Sequence, residues 1–292
     1  MTSIVCIGLG KMGLPLALHL ARAGHEVVGI DRAEAALSKA SGCGLHVFPH
    51  SGLSGAVSRA TVIVSSLPND DALRVVTCEL VNCAMSSSLY LETSTVSAQA
   101  SAQAAQICGE SGIRTLRVAL SGNSSMAEAA KLTILASGAR SDYEAAEPLL
   151  ACWGTKRYWL GEHEQARVMK LVINLMVAHT AAMLGEAISL GQRGGLSWED
   201  LWLVIPESAV GSPIIKAKSA ALKARDYSPT FTVEQMIKDI ALVLDQGEQG
   251  RVPLPLTAVV FQSLQAARAQ GDGSLDYAAL IRVAERACSP AS

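Results

Sequence analysis

Ile4-Val5-Cys6-Ile7-Gly8-Leu9-Gly10-Lys11-Met12-Gly13-Leu14-Pro15-Leu16-Ala17 is the stretch from which the rest of this chain is best read. The unbroken apolar run Ile4–Ile7 is the pattern of a strand buried on both faces of a parallel sheet. It passes directly into Gly-x-Gly-x-x-Gly and then into a helix-compatible segment, Met12–Ala23, with Gly24 where a helix-ending glycine belongs. Strand, glycine turn and helix in that order open a βαβ unit. Asp31 closes the next apolar run, Glu26–Ile30, about 20 residues on, which completes the fingerprint of a dinucleotide site. Each glycine has a mechanical reason. Gly8 permits the tight turn, Gly10 lets the backbone of Leu9, Lys11 and Met12 approach a pyrophosphate, and Gly13 lets the helix pack on the strand. The helix N-terminus then offers unpaired N–H donors to the phosphates.

A carboxylate at Asp31 accepts hydrogen bonds from ribose hydroxyls and repels a 2′-phosphate, so the expected cofactor is NAD. Arg32 beside it keeps NADP open, because a guanidinium there can stack on adenine or meet that phosphate.

Outward from this turn, the first half alternates short β-rich runs with helical segments. Further strands are expected at Thr61–Ser66, Leu89–Thr93, Thr115–Ala119, Thr133–Ala136 and Arg157–Leu160, and helices at Asp70–Val81 and Ala98–Gly109. After Gly161 the strand signal ends. Glu164–Arg193 reads as one long helix, apolar nearly all round and so expected to be buried between domains or subunits. Helices at Ser197–Ile205, Ser212–Ala224, Val233–Gln249, Leu256–Gln270 and Tyr277–Cys288 follow, separated by Pro and Gly clusters. The expected class is α/β: an N-terminal Rossmann-type doubly wound sheet over 1–163 and a C-terminal all-α domain over 164–292, joined by the long interdomain helix.

Composition narrows the function. The chain has 292 residues, half of them apolar, 24 Lys and Arg against 26 Asp and Glu, and a net charge of −2. There is no basic stripe for nucleic acid. The seven cysteines are scattered and without Cys-x-x-Cys spacing, which points to a reducing compartment and away from disulfides. The six histidines show no ligand spacing, so no metal is expected. Structure begins at Ile4 with no room for a signal peptide, and the apolar stretch Leu171–Leu184 is interrupted by Asn174 and His179 and is short of the ~20 residues that span a bilayer. A cytoplasmic protein without membrane partners is expected.

Gly8–Ala17 also resembles the opening of the β-hydroxyacid dehydrogenases, a family that includes 3-hydroxyisobutyrate, L-threonate and 6-phosphogluconate dehydrogenases. The likeness continues through ordered motifs along the chain. Val62–Pro68 resembles the family's cofactor strand, whose following loop, here Leu67-Pro68, lies over the dinucleotide. Glu92-Thr93-Ser94-Thr95 resembles its acidic-x-Ser-Thr motif, which implies Thr95 near the nicotinamide ribose. Ser121-Gly122-Asn123 falls at its Ser-Gly-Gly substrate loop. Lys170 with Asn174 matches the Lys-x-x-x-Asn of its catalytic helix, and Lys238-Asp239 its C-terminal Lys-Asp, implying that Lys238 contacts the cofactor or orients Asp239. The resemblance implies hydride transfer between NAD(P) and a small carboxylate-bearing alcohol, and the apolar helical half is expected to assemble as a homodimer or homotetramer.

The residues support that chemistry independently. Lys170 and Asn174 are spaced i, i+4 and project from one helix face. On an otherwise apolar helix a lysine is costly to bury unless it is used, and burial would draw its pKa toward neutrality. It could then take the hydroxyl proton as hydride departs. Asn174 can hold the substrate hydroxyl without adding charge, and Ser121 with the N–H groups at Gly122 and Asn123 can form a nest for a carboxylate. Phe231 can close the pocket or belong to the core.

Three positions depart from the family: Arg117 replaces an acidic residue, Asn123 replaces a glycine, and Glu162–Ala166 replaces a glycine-rich lead into the catalytic helix. These suggest a bulkier or more anionic substrate. Two alternatives follow, an imine reductase on the same architecture and a non-catalytic dinucleotide-binding redox sensor. The first generally lacks a lysine on this helix.

Overall fold

The computed structural model describes residues 1–288. By contacts the chain divides into two compact units, Met1–Lys170 and the residues from Leu171 onward. By these contacts the start of the long helix, up to Lys170, groups with the sheet unit.

The first unit is an eight-stranded sheet: β1 Ser3–Ile7, β2 Glu26–Asp31, β3 His46–Pro49, β4 Val62–Ser65, β5 Leu89–Glu92, β6 Arg114–Ser121, β7 Thr133–Ser137 and β8 Lys156–Trp159. Their spatial order is β3-β2-β1-β4-β5-β6-β7-β8. Pairing is parallel except between β6 and β7, where Arg117 faces Ser137 and Ser121 faces Thr133. Helices α1 Gly13–Arg22, α2 Glu34–Gly42, α3 Leu53–Val57, α4 Asp70–Cys83, α5 Ala98–Glu110, α6 Ser124–Glu128 and α7 Arg140–Ala151 connect them. Alternate residues of one strand feed opposite layers: Ile4 and Cys6 pack in a core with Leu16 and Trp153, while Val5 and Ile7 pack with Leu73 and Ile113. Continuous apolar runs therefore read as strands covered on both faces.

The expected strands all form, with ends shifted by a residue or two. β3 was not expected. It is a four-residue edge strand, half-buried only at Val47, and lacks the apolar run of an interior strand.

From the end of β8, α8 Gln165–Arg193 runs unbroken into the second unit. There follow α9 Trp198–Val204, α10 Pro213–Lys223, α11 Val233–Gln249, α12 Pro255–Ala267 and α13 Leu280–Cys288. The helix expected to reach Gln270 stops at Ala267, where a π turn over Arg268–Asp272 leads to Gly271 at φ +88°. Within this unit α8 buries Leu171, Ala178 and Ala181 against Ile240 and Leu264. It is not buried all round, since Val172, Met176, Met183 and Leu190 are exposed. By length and composition alone α8 could cross a membrane; one face of it instead forms the core of the helical unit. Phe231, partly buried, packs edge-on to Tyr277, ring centroids 6.3 Å apart, against the core of this unit, and Trp198 and Trp202 pack on each other at 5.7 Å.

Candidate functional site

The carboxyl ends of parallel strands are where α/β sheets bind ligands. Here that edge collects Gly8–Gly13 after β1, Asp31 ending β2, Leu67-Pro68 after β4, Ser94-Thr95 after β5 and Ser121 ending β6. The glycine turn is built as its spacing demands. Gly8 sits at φ +88°, and a Cβ there would lie 2.3 Å from the Ser66 carbonyl oxygen. A Cβ on Gly13 would meet the Gly8 oxygen at 1.9 Å, so only glycine lets α1 approach the turn. A Cβ on Gly10 would meet nothing within 4 Å. It would instead project into the open cradle before α1, where a pyrophosphate would lie, so these residues fit a dinucleotide.

Asp31 does more than the fingerprint requires. Its Oδ2 accepts from the Leu9 N–H at 2.7 Å and its Oδ1 from the Ala33 N–H at 2.8 Å, bracing the glycine turn against the end of β2. A carboxylate has about four acceptor positions, so capacity remains for ribose hydroxyls. Arg32 is exposed.

The two neighbouring loops are tied together. Leu67 N–H donates to Ser94 Oγ at 2.8 Å, Thr93 Oγ1 donates to the Ser65 carbonyl at 2.7 Å, and Ser97 Oγ donates to Asp70 at 2.6 Å. Thr95 is half-buried within this lattice. At the substrate loop, Gly122 adopts φ +143°, and a Cβ there would press on Leu132 at 2.7 Å. Asn123 caps α6: its Oδ1 accepts from Met126 N–H at 3.0 Å and from Ser125 Oγ at 2.8 Å. The side chain that replaces a glycine is thus occupied with its own helix.

The other two departures pair with each other. Arg117 Nε donates to Glu164 Oε1 at 2.7 Å, with side chains only 12% and 15% exposed. Arg117 is therefore neutralised, and these positions give no ground for an unusually anionic substrate.

Lys170 lies half-buried near the start of α8, and Asn174 is buried one turn on. Enclosure of Lys170 is thus less complete than the apolar sequence around it suggests. In the second unit Asn174 Nδ2 donates to Asp239 Oδ2 at 2.5 Å, and Asp239 is 1% exposed. The Lys238 ammonium stands 3.7 Å from Asp239 Oδ1 and is 40% exposed. A buried carboxylate thus orients the Asn174 amide, a role the Lys-Asp pair alone did not reveal. Asn174→Leu removes one donor from that carboxylate, and urea unfolding is expected to show a loss of about 1–3 kcal/mol.

Sequence reasoning missed Arg167. It is 2% exposed and donates from Nη2 to the Glu92 carbonyl at 3.0 Å, from Nε to Ser101 Oγ at 3.3 Å and from Nη1 to the Ser94 carbonyl. It also pairs with the Glu92 carboxylate, whose other oxygen accepts from Ser94 N–H at 2.7 Å. Burial draws this guanidinium down to about 10, with Tyr90 and Asp70 acting in the opposite sense, so it stays charged at neutral pH. The sequence marks it only as a second basic residue three positions before Lys170.

Comparison with known proteins agrees with this geometry. A family model described as the NAD-binding domain of 6-phosphogluconate dehydrogenase matches residues 3–161. A second, described as NAD-binding of NADP-dependent 3-hydroxyisobutyrate dehydrogenase, matches residues 165–284. The chain is 30% identical to 2-(hydroxymethyl)glutarate dehydrogenase of Eubacterium barkeri over 284 residues, 96% of this chain and 94% of that protein. It is 27% identical to the solved structure of Mycobacterium tuberculosis 3-hydroxyisobutyrate dehydrogenase with L-serine, covering 97% of this chain and 98% of that one at a TM-score of 0.89. An imine reductase from Pseudomonas sp., 22% identical over 97% of this chain and 99% of its own with a TM-score of 0.65, shares the fold. With both halves matched in order and the motifs in place at the sheet edge, the chain belongs to the β-hydroxyacid dehydrogenase family of NAD(P)-dependent oxidoreductases.

Proposed function

We propose that this protein interconverts a small β-hydroxyacid and the corresponding oxo acid or semialdehyde, with the sheet unit binding the cofactor and the helical unit contributing to substrate binding and assembly. The reading rests most on Lys170 followed one helical turn later by Asn174, whose amide is oriented by a buried carboxylate. Bound NAD(P) supplies the hydride acceptor or donor. Lys170, in its amine form, takes the hydroxyl proton at Nζ during oxidation and returns it during reduction. Asn174 holds the reacting oxygen in line with Nζ. Ser121 and the N–H groups of Gly122 and Asn123 bind the substrate carboxylate. The turn Gly8–Gly13, with Asp31, Arg32, Leu67, Pro68, Thr95 and Lys238, holds the cofactor, and the carboxylate of Asp31 favours NAD over NADP.

The test is a panel of β-hydroxyacids offered with NAD+ and with NADP+, followed by absorbance of the reduced cofactor. Turnover of at least one hydroxyacid, with higher kcat/KM for NAD+, is expected. Turnover of cyclic imines with no hydroxyacid oxidised would overturn it.

The assembly proposed is a cytoplasmic homodimer or homotetramer without membrane or nucleic-acid partners. The exposed Val172, Met176, Met183 and Leu190 on one helix support association. Size-exclusion chromatography with light scattering is expected to give a multiple of the monomer mass, and a monomer at micromolar concentration would remove that part.

A further inference from the structure

Three residues in one row across the sheet each bond the first turn of α8. Glu92 of β5 is in register with Arg117 of β6, and Arg117 with Ser137 of β7. Glu92 pairs with Arg167, Arg117 pairs with Glu164, and Ser137 Oγ accepts from the Ala166 N–H at 3.3 Å. Of these contacts, Arg167 alone also holds the loop after β5. Its guanidinium reaches the backbone carbonyls of Glu92 and Ser94, and Ser94 in turn accepts from Leu67 in the loop after β4. The Arg167 side chain is as deeply buried as the carboxylate it meets, at 2% exposure each. A planar fork with fixed donor directions can define both distance and rotation in a way a single ammonium cannot.

Lys170 lies three residues beyond Arg167, on the same side of the helix and about 4.5 Å further along it. Whatever fixes Arg167 against Ser94 therefore fixes where the Lys170 backbone stands relative to Thr95. We propose that Arg167 is a positioning residue for the reaction: its fork on Glu92 and Ser94 sets the height and rotation of the catalytic helix against the cofactor loop. This rests on the reading of Lys170 as the proton acceptor given above. Reacting atoms must be held within a fraction of an ångström, and a displacement of about 1 Å can cost a hundredfold in rate. A residue that touches neither substrate nor cofactor can thus govern turnover.

Arg167→Lys keeps the charge that Glu92 needs but cannot reach both carbonyls. In the full-length protein it is expected to melt close to the wild type, with kcat lowered about ten- to hundredfold and KM for the hydroxyacid little changed. The primary isotope effect on kcat, read with substrate deuterated at the carbinol carbon, is expected to rise as hydride transfer becomes the slow step. A role confined to stability would lower the melting temperature and leave the isotope effect and the rate per folded molecule as they were.

The double variant Glu92→Gln with Arg167→Met leaves no charge buried alone. It is expected to recover stability relative to Arg167→Met while turnover stays low, since the fork is still missing. This variant decides the matter if Arg167→Lys does not fold. Wild-type kcat and isotope effect in either folded variant overturn the proposal. Lys170→Ala in the same assay separates the two ideas: full turnover there removes the reading of Lys170, whereas an inactive Lys170→Ala beside a fully active Arg167→Lys removes only the positioning role.

Discussion

Lys170→Ala should lower kcat for the hydroxyacid by about 10²–10⁴-fold, the range general acid–base catalysis contributes, while the dissociation constant for reduced cofactor stays near that of the wild type. Both halves of that outcome follow from where the residue sits. The start of α8 is fastened to the sheet by Ala166 and Arg167 and, just before it, by Glu164, and Lys170→Ala leaves all three of these bonds in place. The glycine turn and Asp31 lie on other elements and keep their own bonds. Lys170→Arg is the sharper control. It preserves positive charge but offers a group that holds its proton at any working pH, so it too should be inactive. Equal losses in kcat and kcat/KM would place the effect in the transition state. Cofactor binding can be followed by fluorescence of the reduced nicotinamide. Turnover within a few-fold of wild type in both variants would remove the proton-transfer role.

Gly10→Ala and Gly13→Ala should separate binding from folding. In Gly13→Ala the new Cβ meets a backbone oxygen at 1.9 Å, which no rotamer can relieve. Overpacking of that kind costs about 1–3 kcal/mol, and for a domain of this size each kcal/mol moves the melting temperature by about 2–4 °C. In Gly10→Ala the methyl group meets no protein atom within 4 Å, so the apoprotein should melt as the wild type does. The methyl group then occupies the space through which N–H groups reach the pyrophosphate. Losing one or two charge-assisted hydrogen bonds, each worth about 1.5–3 kcal/mol, weakens cofactor binding by about ten- to ten-thousandfold. Calorimetry on both variants, beside thermal melts, checks the pair. A Gly10→Ala protein that binds cofactor normally would mean that the cradle does not hold the phosphates.

Much of this arrangement was legible in the sequence because it is local. The continuous apolar runs announced interior strands, and the glycine spacing with Asp31 announced the ligand edge. β3 escaped because an exposed edge strand needs no apolar run. The site divided along the same line. Lys170 and Asn174 form a pattern within one helix, and so do Gly8, Gly10 and Gly13 within one turn. Arg167 and Glu92 are 75 positions apart, and Asn174 and Asp239 are 65 apart. Nothing local says that such groups meet. Along the sequence the three departures together suggest a different substrate. In the fold Arg117 answers Glu164, and Asn123 answers the Met126 N–H and the Ser125 hydroxyl of α6. The arginine is explained by a partner 47 positions away and the amide by the start of its own helix.

The pairing of Arg117 with Glu164 has an evolutionary consequence. If either residue mutates alone, the other is left as a largely enclosed ion without its counter-charge, which costs less than the ~3–5 kcal/mol of breaking a fully buried pair but is still a loss. The combination with both residues and one with neither are therefore separated by a valley that single mutational steps cross only at a loss. Among descendants of a common ancestor, arginine at the first position should travel with an acid at the second. Lineages that carry one without the other should show a further substitution nearby that admits solvent or supplies a counter-ion.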